Sequence, residues 1–94
     1  MHDSSMTSGE LEIFIKTLGD ILRGIGSLEN LEIWLKSQPF IVDVSTADHL
    51  IKTEPPQKEV SATFKISDGS TVTKTIDVFL YPDQTVDLAR VHEP

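Results

Sequence analysis

The residues of this chain able to do chemistry are three histidines and a scatter of carboxylates, with no cysteine among them. His2 lies near the amino terminus, His49 in an irregular stretch and His92 near the carboxyl end. Metal sites place imidazoles and carboxylates at fixed spacings on rigid elements. Asp43, Asp48 and His49 are close in sequence, yet no HxH, HxxxH or HExxH spacing occurs. His49 therefore reads as a solvated loop histidine, and no metal or cofactor is expected. A hydrolytic nucleophile needs a Ser or Thr beside an oriented base. Ser8, Ser27, Ser67 and Ser70 instead fall at caps and turns, and there is no GxSxG elbow. Asp77 and Asp87 share a face on neighbouring strands, and such a pair can share a proton in a closed pocket. A face open to water leaves both simply ionised. Gly19, Gly24 and Gly26 lie in or after an amphipathic helix, without a GK[ST], so they are not a phosphate loop. The sequence thus predicts a protein that is not an enzyme.

The elements that position these residues are written in two periods. Thr7 and Glu10 form a capping box ahead of Leu11, Phe14, Ile15, Leu18, Ile21, Leu22 and Ile25, one apolar stripe at helical spacing. Gly24 and Gly26 end that helix, with Arg23 in its last turn. Ser27 caps a second, short helix carrying Leu28, Leu31, Trp34 and Leu35, which Pro39 closes. The linker is so short that the two helices fold back as a hairpin. Beyond Pro39 the period becomes two. Phe40, Val42 and Val44 mark a first strand, and Leu50 and Ile51 are expected to tuck under the core. Val60, Ala62, Phe64 and Ile66 mark a second strand, Val72, Ile76, Val78 and Leu80 a third, Val86 and Leu88 a fourth.

Parity decides the first turn. A two-residue Asp68-Gly69 turn would set apolar residues beside polar ones. A three-residue Ser67-Asp68-Gly69 loop, flanked by Ile66 and Ser70 with Gly69 left-handed, pairs Phe64 with Val72 and Val60 with Ile76. The same parity asks for a three- or five-residue connection around Pro82-Asp83-Gln84. The fold class is α+β: an N-terminal helical hairpin packed on one face of a three- to four-stranded antiparallel β-meander, in two layers. Residues 1–6 read as a disordered tail, with Met6 an alternative start, and residues 7–92 as one domain. Lys74 and Arg90 read as charges guarding strand edges.

Composition narrows function further. Fifteen acidic residues against eight basic give a net charge of −7, which disfavours nucleic acid and anionic membrane. The amino terminus carries no signal-like apolar run, and no stretch approaches membrane-spanning length, so a cytoplasmic protein is expected. What remains is a small non-catalytic accessory domain acting by protein–protein contact. Its contacts are expected on Phe79, Val91, Thr73 and Thr75 of the outer sheet face, joined by Ile41 if the first strand is aligned, and on the stiff Pro55-Pro56 loop. A homodimer through an edge strand is a further mode. The alternatives are an acidic, immunity-type inhibitor of a basic partner, and a ligand-binding or enzymatic domain with a pocket between helices and sheet lined by Trp34 and His49.

Overall fold

The computed structural model describes residues 4–94; residues 1–3, and with them His2, lie outside the described residues. Its elements are α1 (Ser8–Ile25), α2 (Leu28–Lys36), β1 (Ile41–Asp48), β2 (Gln57–Lys65), β3 (Thr71–Leu80) and β4 (Val86–His92). The expected capping box starts α1: the Thr7 amide donates to Glu10 Oε1 at 2.9 Å, and the Glu10 amide donates to Thr7 Oγ1 at 3.1 Å. Gly26 ends α1 with φ of 90°, and the Ser27 hydroxyl accepts from the Asn30 amide to open α2. Met6 departs from the expected tail. It is buried and forms a parallel bridge with Ile66, its amide donating to the Lys65 carbonyl at 3.0 Å and its carbonyl accepting from the Ser67 amide at 2.9 Å.

Both helices cover one face of an antiparallel sheet of order β1-β2-β3-β4, with α1 over β4 and α2 over β1. Leu11, Leu18, Leu22, Leu31 and Leu35 are buried against Val60, Ala62, Phe64, Ile76, Val78 and Val86. Each of these side chains larger than alanine contributes roughly 1.5–3 kcal/mol by leaving water. Phe14 joins the layers: it stacks on Trp34 at 5.5 Å and meets the edges of Phe40 and Phe64 at 5.3 and 5.5 Å. Trp34 is half-buried against the core, and His49 lies beside Asp77 on the outer sheet face.

The β2–β3 hairpin has the register that parity requires, with Phe64 opposite Val72 and Val60 opposite Ile76. Its loop is the bulged one: the Ile66 amide donates to the Ser70 carbonyl at 2.9 Å, and Gly69 has φ of 93°. The β3–β4 turn repeats the device. Tyr81 pairs with Thr85, and Gln84 takes the left-handed position at φ of 75°.

The outer strands depart from strict alternation. In β1 the register shifts between Ile41 and Asp43, so Val42 is an extra residue. Ile41 consequently faces Phe64 and the core at 8% exposure, while Val42 is 56% exposed, the reverse of the expected assignment. In β4 the pairing passes from Leu88 to Arg90, leaving Ala89 as the bulge. Beyond it Val91 lies opposite buried Ile76 on the helix side, and Arg90 and His92 lie opposite Asp77 and Thr75 on the outer side. A one-residue insertion swaps the faces of all that follows. Lys74 sits on β3 just beyond the β4 pairing, which ends at Thr75 opposite His92, and it pairs with Glu93.

Candidate functional site

The outer sheet face holds a polar cluster centred on Asp77. Register builds it. Because Val60 pairs with Ile76, Glu59 lies directly opposite Asp77, and Arg90 flanks Asp77 from the other side. One row away, Ser61, Thr75 and His92 align. His49 arrives from the end of β1, its Nε2 at 3.9 Å from Asp77 Oδ2. These neighbours cover Asp77, whose exposure is 1%, and Thr75 is also buried. The outer face is therefore not uniformly open, and Asp77 does not pair with Asp87, which lies opposite Phe79.

Hydrogen bonding at Asp77 is lopsided. Oδ2 accepts from Arg90 Nε at 3.1 Å and lies 3.0 Å from His92 Nε2. Oδ1 is buried without a partner. On the far side of the His92 ring, Nδ1 is 2.9 Å from the Glu93 carbonyl oxygen. A carbonyl only accepts, so Nδ1 is the donor, and Nε2 needs its own proton or a cation to approach a carboxylate oxygen. Glu59 has no ion pair among the described residues and stands against a second carboxylate, an arrangement that is destabilising for bare cross-strand charges. Glu59, Asp77 and His92 each bring one donor atom within 4.8 Å of the others. Such a set can share protons or hold a cation.

The second feature is the loop between β1 and β2. Leu50 and Ile51, expected under the core, are instead 95% and 69% exposed. The His49 ring contacts the Ile51 amide at 3.2 Å and carbonyl at 3.0 Å, and the Thr53 hydroxyl donates to the Pro55 carbonyl at 2.8 Å. The Lys58 ammonium beside Asp48 closes the loop base and holds the Asp48 carboxyl below the usual carboxylate range. Pro56 is exposed and Pro55 half-buried, after a cis Glu54–Pro55 peptide.

Of the residues expected to make contacts, Pro56 is exposed, although its carbonyl accepts from the Leu80 amide of β3 at 2.8 Å. Phe79 is half-buried and stacks with Tyr81 at 6.5 Å, and Thr73 shares a hydroxyl hydrogen bond with Thr63 at 2.9 Å. Thr75 is buried beside Asp77, and Val91 is turned toward the helices. There Val91 lines a groove of about 530 Å³ with Leu11, Ile15 and Val72, which Lys74 and Glu93 flank. Sequence spacing missed the Asp77 cluster because its members come from different strands. One signal was present: the predicted Val60–Ile76 pairing already sets Glu59 against Asp77. No protein-family model, curated protein or solved structure matches the chain.

Proposed function

We propose that the chain is a non-catalytic accessory domain that acts by contact with another protein, and that the Leu50-Ile51 tip anchors that contact. One observation carries the reading: two adjacent large aliphatic side chains are held in water on a hydrogen-bonded loop. Burying each would contribute roughly 1.5–3 kcal/mol, and the fold forgoes that gain. Interfaces draw their energy from a few such apolar anchors with polar surroundings, here Lys52, Glu54 and Gln57. Both edge strands carry a bulge and charged residues, devices that blunt strand addition. Side-chain docking is therefore favoured over an edge-strand homodimer. No helix among the described residues is long and apolar enough to cross a membrane. The acidic surface supports a protein partner over nucleic acid, and the lack of cysteine is compatible with the cytoplasm.

The test is proximity crosslinking in cells with the wild type and a Leu50→Asp/Ile51→Asp variant, with Phe79→Lys alongside. The loop variant is expected to lose the wild type's crosslinked protein while its unfolding free energy stays within about 0.5 kcal/mol, as for surface changes. An unchanged set of partners from the loop variant would contradict the reading. Loss of them in Phe79→Lys alone would move the contact to the sheet face.

A further inference from the structure

From the outer face we infer that Glu59, Asp77 and His92, with His49 as a fourth donor, form a binding site for a divalent transition metal, zinc above all. The carboxylate of Asp77 is the anchor. It is 1% exposed; its Oδ2 faces His92 Nε2 at 3.0 Å and His49 Nε2 at 3.9 Å, and its Oδ1 is buried with no hydrogen-bond partner, so one anionic oxygen of the cluster goes unserved. Glu59 stands directly across the strand pair with no ion pair of its own among the described residues. A cation between the two carboxylates removes their repulsion and serves the orphaned oxygen together.

The chemistry of the donors selects the kind of ion. Two imidazoles with two carboxylates suit zinc and its neighbours, whereas calcium and magnesium prefer oxygen alone. The donor atoms of Glu59, Asp77 and His92 lie within 4.8 Å of one another. Tetrahedral zinc, with bonds near 2.0–2.2 Å to nitrogen and oxygen, sets its donors about 3.3–3.6 Å apart. A rotation of the half-buried Glu59 side chain would supply that contraction. The second shell is already built in the form metal-bound histidines use, with His92 Nδ1 directed at the Glu93 carbonyl at 2.9 Å. Its Nε2, turned toward Asp77, is the atom that would bind. Arg90 neutralises Asp77 in the metal-free chain, and with its side chain 66% exposed it is free to withdraw into water when the metal takes over that charge.

Titration of the full chain with zinc chloride alone, by calorimetry in a non-chelating buffer and by amide NMR, tests this. One equivalent is expected to bind at micromolar or tighter affinity, with shifts centred on Glu59, Asp77 and His92 and a rise in melting temperature. Glu59→Gln and His92→Gln are each expected to weaken binding at least tenfold and to abolish the thermal rise. Asp77→Asn is expected to do the same, and the half-exposed Glu59 variant decides the matter if Asp77→Asn does not fold. His2→Ala is expected to leave binding unchanged. Binding that survives Glu59→Gln and His92→Gln, binding lost with His2→Ala, or no micromolar binding overturns the site.

Discussion

The central hairpin and the two outer strands obey different rules. In β2 and β3 every residue from Gln57 to Lys65 pairs without interruption against Phe79 to Thr71, and the helix-facing positions are Val60, Ala62, Phe64, Ile76 and Val78. In β1 and β4 a single extra residue, Val42 or Ala89, breaks the alternation. The regular hairpin carries the core. The irregular strands shape what the surface presents: bulges twist the edges away from strand addition, and the one at Ala89 turns Arg90 and His92 onto Asp77. Stability and site construction are thus divided between the interior and the margins of one sheet.

The division is open to mutation. The largest effect should fall on the hairpin: Phe64→Ala, at a side chain with no exposure, is expected to cost about 3–5 kcal/mol in denaturant unfolding. Val42→Ala, at the β1 bulge, should stay within about 0.5 kcal/mol. Equal costs would erase the distinction between regular and bulged strands. The two turns offer a finer comparison, since they share one geometry with different residues at the left-handed position. Gly69→Ala is expected to cost about 1–2 kcal/mol, because a β-carbon at φ of 93° meets its own backbone. Gln84→Gly, at φ of 75°, is expected to gain up to about 1 kcal/mol. Thermal melts of both variants check the opposite signs.

The smallest effect concerns pH. The Ser70 hydroxyl and amide hold the Asp68 carboxyl below its usual range, and Thr85 does the same for Asp83. A carboxyl with a depressed folded-state value stabilises fully above its ordinary value of 3.8 and loses that contribution as pH falls through the folded value. Stability should therefore decline below about pH 4, and an Asp68→Asn/Asp83→Asn variant should show a shallower decline in acid melts. A steeper one would contradict the turn assignments.

What the sequence revealed and what it concealed follow the same division. The stripe from Leu11 to Ile25, the Thr7–Glu10 box and the Ser67-Asp68-Gly69 loop are local patterns, and the structure realises each of them. Val42 and Ala89 are ordinary strand residues whose bulging depends on how an edge strand packs against its neighbour, so no local signal marks them. Val91 faces the helices and not the outer side for that reason alone. Leu50 and Ile51 are exposed for a different reason, since a bare preference for burying aliphatics says nothing of a loop held by its own hydrogen bonds. The Asp77 cluster was half legible: the hairpin register brings Glu59 to it, but His92 joins only through the bulge.

The site on the outer face depends on that bulge. Methyl and aromatic NOE spectra of the wild type test it directly, because residues 91 and 92 exchange faces if β4 runs straight. A bulged β4 gives contacts from the Val91 methyls to Leu11 and Ile15, and from the His92 ring to protons of Thr75 and Glu59. Val91 methyls in contact with Thr75, together with a His92 ring in contact with α1, would show an unbulged strand and dismantle the site.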